Sequence, residues 1–412
     1  MTHTAPPVSR IHGLDALRGF ALIAGVVLHL SLSWLPGSEK FWLVSETDSS
    51  LTLSFLFWFT HSWRMLLFFL IAGFFGRLLH ERLGTRMFIR DRAGRIATPL
   101  FAGWPLVFAA IIVVFVWAAS FAPGGLPKEP PPGPKFTPDD FPLTHLWFLW
   151  CLLLAYAAML GTRWLVHWVD RGGSFARFGD RVIGVLLFPG MILILVGPLA
   201  YALTQHPKWL PWFGIPTPDH SLYPNLPAVI GYGSAFVFGW LLQRQPQALG
   251  AVARWTWWNV CLAVVFSVSA VSLVGLEPIK VELADDHVLA LYAILYVGTG
   301  WTTTMALLGL ALRYLTGESL ARRYLADASY WIYLAHLPVV MAASVVASRV
   351  HGPWWLEFPV CLIGSLAVLL GTYHVFVRYS ALGVMLHGKR RHREVTRTAA
   401  DTPCNPGTPA TP

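Results

Sequence analysis

The chain has 412 residues, 55% hydrophobic and 12% charged, with net charge +9 and four cysteines. Charged residues at half the usual share of about 25% exclude an ordinary soluble domain, and so few cysteines exclude a disulfide-built scaffold. The basic balance suggests a nucleic-acid binder, but the Lys and Arg fall between long apolar runs and form no basic face. With mean hydropathy +0.56, the chain reads as a polytopic membrane protein.

A helix needs about 20 mostly apolar residues to cross a hydrocarbon core of about 30 Å. Ten such stretches follow one another, at 14–36, 57–79, 97–120, 143–161, 182–204, 225–243, 255–276, 287–312, 326–348 and 355–378. The expected fold class is all-α, a bundle of about ten transmembrane helices over residues 1–385. A basic and then Pro/Thr-rich tail, 386–412, is expected to be disordered. With the N-terminus in the cytoplasm, 23 Lys and Arg fall in the inner segments and six in the outer ones. That is the positive-inside bias, and it places both termini in the cytoplasm. The first stretch is too long, and too polar at Arg18 and His29, for a cleaved signal peptide. The outer segment 121–142 is rich in Pro and Gly and reads as a lid or spacer. There is no internal repeat of the kind many transporters show. No segment suits a soluble catalytic domain, so any chemistry must lie among the helices.

Ionisable residues inside a membrane cost about 2.5–3.5 kcal/mol on insertion scales and point to function. The first stretch holds Asp15, Arg18 and His29. At 100° per residue, the steps from Arg18 to His29 end about 20° past three full turns. Asp15, Arg18, Leu22, Gly25 and His29 therefore share one stripe, on which Gly25 leaves room for a neighbour or a ligand. Rise puts His29 about 16 Å outward of Arg18, near mid-membrane. A neutral imidazole there can act as a general base toward a hydroxyl.

The second stretch opens with His61 and Arg64, and the fourth with His145, all at the depth of His29. For His61 and His145 a structural role at the interface and a catalytic one both stay open. Metal ligation is not expected, since no carboxylate or cysteine stands at ligand spacing. Between the second and third stretches lie Arg82, Arg86, Arg90, Arg92 and Arg95. This is more than orientation requires, and guanidinium forks suit a phosphorylated cytoplasmic donor. In the ninth stretch Ser329, Tyr333 and His336 share a stripe, with Tyr330 to one side; they either glue helices together or line a substrate passage. Gly383 to Lys389 spells GxxxxGK, but Arg390 replaces the magnesium-binding hydroxyl and a helix precedes it, so it is no phosphate loop.

LDALRGFALIAGVVLH, HSWRMLLFFLIAGFF, HLWFLW and SYWIYLAH, in this order and spacing, resemble the acyltransferase family 3 membrane proteins along nearly the whole chain. The resemblance implies a multi-pass protein of the bacterial inner membrane. It implies acyl-CoA as a cytoplasmic donor substrate, no permanently bound cofactor, and a glycan hydroxyl at the outer face as acceptor. It matches His29 and Arg18 to the family's motif histidine and arginine. It also matches Arg92 and Arg95 to a basic motif after the second helix, in which Asp91 interrupts the pair that Arg90 would begin. The most similar branch succinylates periplasmic glucans, which makes succinyl the first expectation and acetyl the second. On the residues alone, Arg18 with Asp15 orients donor or helix, and Arg64, His61 or Tyr333 supplies the oxyanion partner. Membrane lipid, acyl-CoA and glycan are the expected partners. A proton-coupled transporter relaying through His29, Asp15 and Arg18, and a scaffold whose polar residues only join helices, are the competing readings.

Overall fold

A computed structural model describes residues 12–42, 44–46, 48–121, 133–281, 283 and 285–387. The described residues form helices α1 His12–Ser31, α2 Leu51–Arg92, α3 Thr98–Ala119, α4 Trp147–Val169, α5 Ser174–Leu186, α6 Val196–Thr204 and α7 Leu226–Arg244. There follow α8 Leu249–Arg254, α9 Thr256–Val274, α10 Asp286–Tyr314, α11 Leu320–Ala347, α12 Trp354–Thr372 and α13 Ala381–His387. The tail expected to be disordered, beyond residue 387, and most of the Pro-rich segment, 122–132, lie outside the described residues.

Against the ten expected spans, eight helices among the described residues are long and apolar enough to cross a membrane. A ninth arises if a bent pair counts as one. That pair corrects the span expected at 182–204: Ser174–Leu186 and Met191–Thr204 meet at 115°. Pro189 disfavours helical backbone just before itself and offers no N–H, so the apolar run turns there. The second and third expected stretches fall within one helical run, Leu51–Ala119. Its 69 residues would measure about 100 Å if straight, roughly three core thicknesses. The run is broken at Gly84, whose φ of 70° and ψ of 168° are not helical, and loosened by a π turn at Ala93–Ala97.

The centre of the bundle is built by α1, α2, α7, α10 and α11. Where α2 meets α7, a Cβ on Gly73 would strike the Phe236 carbonyl, and one on Gly239 the Leu70 carbonyl. Small residues let these backbones touch, as association in lipid requires. The threonines of α10 fit an apolar interior because Thr302 and Thr304 donate to the carbonyls of Gly298 and Gly300, at 2.6 and 2.7 Å. Trp58 donates to the Tyr292 hydroxyl at 2.9 Å, and Tyr292 donates to the Pro211 carbonyl at 3.0 Å, tying α2 and α10 to the loop before α7.

The segment joining α1 to α2 is clasped to the start of α12. The Asp48 carboxylate accepts from the Trp354 backbone N–H at 2.8 Å, and the Glu46 N–H donates to the Ser33 carbonyl at 2.8 Å. Glu46 and Glu357 are both buried here, and the Gly352 N–H donates to Glu357. Burial, and then the neighbouring Glu357, push the Glu46 carboxyl up to about 7. A neutral Glu46 thus favours the fold below its ordinary value, and that contribution is lost as pH rises through about 7. The purified protein is expected to lose roughly 2–4 °C of melting temperature between about pH 5 and pH 8 from this group. Glu46→Gln should remove that loss in a thermal scan; an unchanged pH slope would refute the assignment.

Candidate active site

A cavity of 1190 Å³ runs through the bundle beside α1. Asp15, Arg18, Leu22, Gly25, Leu28, His29 and Leu32 all face it, so the stripe read from the sequence is one wall. From Asp15 to Leu32 the helix rises about 26 Å, close to the thickness of a hydrocarbon core.

At mid-height the cavity is lined by His29, His61, Arg64, His145, Tyr333 and His336, brought from α1, α2, the turn before α4, and α11. The His29 ring lies 5.2 Å from that of His336, which lies 4.9 Å from that of His145. His336 Nδ1 is 2.7 Å from the Tyr333 carbonyl. A carbonyl can only accept, so this nitrogen carries the proton. By the same reasoning His145 Nε2 donates to the Leu334 carbonyl at 3.2 Å. The Tyr333 hydroxyl donates to the His145 carbonyl at 2.8 Å, and His61 Nδ1 bonds the Tyr296 hydroxyl at 3.2 Å. His29 Nδ1 is buried with no hydrogen-bond partner, as is His145 Nδ1 on the other side of His336.

Arg64 fills the room that Gly25 leaves. A Cβ on Gly25 would overlap the Arg64 guanidinium, which therefore sits one helical turn from His29 on the same face. The guanidinium acts electrostatically on His29, His61, His145 and His336 together. Its Nε is buried without a hydrogen-bond partner.

At the Asp15 end of the cavity Arg18 donates to the Ala326 carbonyl at 2.9 Å, joining α1 to α11. Arg92 and Arg95 line the cavity, whereas Arg90 is exposed at the end of α2 and does not. Asp91, read from the sequence as an interruption, holds both: Arg92 Nη2 at 2.5 Å and Arg95 Nε at 3.0 Å. The Arg92 guanidinium also lies over the Tyr156 ring at 5.7 Å, and Tyr330 donates to the Arg95 carbonyl at 2.5 Å. At the opposite end the wall is Phe41, Trp42, Phe213, Asp219 and His220. Burial raises the Asp219 carboxyl above its ordinary value, against the pull of His220.

Sequence reasoning missed Tyr156, Asp327, Asp219, His220 and Trp42 as cavity residues. Asp327 stands two residues before the SYWIYLAH motif and could have been caught by its helical spacing. Asp219, His220 and Trp42 lie in connecting segments, where no periodicity marks a face. Among the described residues no group of three His, Cys, Asp or Glu side chains is placed to hold a metal ion.

A membrane-length bundle with a histidine-lined cavity through it places this chain among integral membrane proteins. It belongs to the family described as "Acyltransferase domain", which it matches over residues 11–374. Two relatives named glucans biosynthesis protein C, from Shigella boydii serotype 4 and Escherichia coli K12, are each 29% identical over 153 residues. Each match spans 36% of this chain and 37% of the relative's length. The protein of that name from Salmonella paratyphi B is 21% identical over 397 residues, 95% of this chain and 98% of its own. No solved structure matches the chain.

Alanine favours a helix over glycine by about 1 kcal/mol, which partly offsets the roughly 1–3 kcal/mol cost of crowding the Arg64 guanidinium, so Gly25→Ala should lower the melting temperature by only a few degrees. It should displace Arg64 and cut the activity supported by the cavity at least tenfold. Full activity in the purified variant would show that Arg64 need not lie against α1.

Proposed function

We propose that the protein is a membrane O-acyltransferase, moving an acyl group from cytoplasmic acyl-CoA to a hydroxyl of an envelope glycan. A periplasmic glucan is the leading acceptor, by similarity to the relatives' printed name, and succinyl then acetyl are the leading groups. The observation that carries the reading is the single cavity joining Arg92 and Arg95 at one end to the Asp219 mouth at the other, with His29 and Arg64 midway. Family membership favours group transfer over proton-coupled transport along the same cavity.

The topology fits this route. Counting Leu51–Ala119 as two spans and the bent pair as one gives ten, with the arginine-rich segments and both termini on the cytoplasmic side of a bacterial inner membrane. Arg92 and Arg95 then hold donor phosphates, with Asp91 fixing their forks. The acyl-pantetheine arm follows the cavity to mid-membrane.

There His29 takes the proton of the acceptor hydroxyl as its oxygen attacks the thioester carbonyl carbon. The C–O bond forms, the carbonyl oxygen becomes an oxyanion, and the C–S bond breaks as it collapses. The thiolate of coenzyme A recovers the proton from His29. Arg64 is the group suited to the oxyanion, because Tyr333 and His61 are already engaged in hydrogen bonds while Arg64 Nε is not. His336 and His145 pack His29 in place, and Arg18, bonded to α11, orients the helix that carries it.

Mass spectrometry of periplasmic glycans is expected to show an added acyl mass in cells with wild-type protein. The mass should be absent with His29→Ala inserted at normal level and absent with no protein. Identical glycans in all three would overturn the acceptor class. Arg92→Ala combined with Arg95→Ala should weaken acyl-CoA binding to purified protein by tenfold or more, and unchanged affinity would remove the donor site from this end.

A further inference from the structure

The outer mouth of the cavity has a chemistry that the transfer step does not use. Side chains from three segments form it: Phe41 and Trp42 from the segment after α1, Thr144 from the turn before α4, and Phe213, Asp219 and His220 from the loop before α7. Two of them carry polar atoms with unmet demands. The Trp42 indole N–H and the Thr144 hydroxyl are both buried with no hydrogen-bond partner. A buried donor left unpaired loses its hydration with no return, a cost that a ligand hydroxyl would offset.

The backbone at this rim is also held under strain. Thr144 is β-branched and has φ of 53°, in the left-handed region that such residues rarely occupy. Strain of this kind persists only where surrounding contacts over-determine it. Those contacts are present: the Thr144 N–H donates to the Asp219 carbonyl at 3.1 Å, and the Phe141 N–H to the His220 carbonyl at 3.0 Å. The Leu222 N–H donates to the Pro138 carbonyl at 2.8 Å. Residues 138–144 and 219–222 are thereby knitted together, and Asp219 is set beside the residue that precedes His145.

The Asp219 carboxylate lines the mouth with His220 Nε2 at 3.7 Å from Oδ2, too far for a hydrogen bond. An acceptor carboxylate, an unpaired indole N–H, an unpaired hydroxyl and flat aromatic rings together suit a ligand that presents hydroxyls at its edge and C–H groups on its face. A fatty chain would leave both donors unmet.

We propose that this rim is a carbohydrate subsite. Asp219 accepts from hydroxyls of a glucose-type ring, Trp42 supports the ring face and donates its N–H, and Thr144 bonds a further hydroxyl. The subsite deepens the acyltransferase reading and rests on it only for what becomes of the bound sugar. It holds the acceptor one residue away from His145, so that a neighbouring hydroxyl reaches His29.

The test uses the full-length protein in lipid nanodiscs, titrated by calorimetry with a linear glucose tetrasaccharide and, separately, with acyl-CoA. Asp219→Asn, which keeps the shape and loses the charge, and Trp42→Phe, which keeps a ring and loses the N–H, should each weaken sugar binding about tenfold. Acyl-CoA affinity should stay within twofold, which also reports that each variant is folded. In turnover the acceptor KM should rise with kcat nearly unchanged. A wild-type protein that does not bind the tetrasaccharide, or variants that bind it as tightly as wild type, would overturn the subsite. If wild-type protein binds the sugar through Asp219 yet transfers no acyl group, the subsite stands and the acyltransferase reading falls. If transfer proceeds with an acceptor KM indifferent to both variants, the reading stands and the subsite falls.

Discussion

A guanidinium held in the middle of an apolar bundle governs what surrounds it. Arg64 can sit there only because Gly25 removes the side chain that would occupy its place, and because the cavity supplies polar surroundings. A charge at this depth costs several kcal/mol without partners, so it must face a polar interior and not lipid. Four histidines from three helices and a turn meet the same charge. The position of α1 against α2 is therefore a condition for the site as much as for the fold.

The rest of the bundle can be seen as the means of keeping that polar column closed. Where helices touch, glycine brings backbones together at α2 and α7, and threonine hydroxyls return to their own helix in α10. At the Asp219 end, hydrogen bonds knit the segments before α4 and α7, while Asp48 fastens the α1–α2 connection to α12. At the other end Asp91 divides one carboxylate between Arg92 and Arg95. The cavity is thus tied by polar contacts at both ends, and its ends differ chemically. One is cationic with an aromatic shelf, and the other is aromatic with a carboxylate.

Much of this is legible in the sequence. The polar stripe on α1 follows from 3.6-residue periodicity, and it lines the cavity from Asp15 to Leu32. Ser329, Tyr333 and His336 form a wall for the same reason. The bend at Pro189 was missed because hydropathy averages over a window and does not register where a backbone N–H is lacking. Asp91 was read as a defect because adjacency in sequence hides a spacing of one and four residues, which on a helix brings both arginines to one carboxylate. Arg90 was included by proximity along the chain, yet the helix turns it out of the cavity.

Composition and spacing by themselves determined that the chain is a membrane-embedded helical protein, which residues of α1 and α11 share a face, and which end is cationic. These are properties of one helix at a time, set by periodicity and by the cost of charge in lipid. Only the tertiary structure decided that Arg64 rests on Gly25, that His29 meets His336 and His145, and that Asp219, Thr144 and Trp42 share a rim. Those pairings join positions far apart in the chain, and they depend on how helices cross and how loops are tied, which no local pattern encodes.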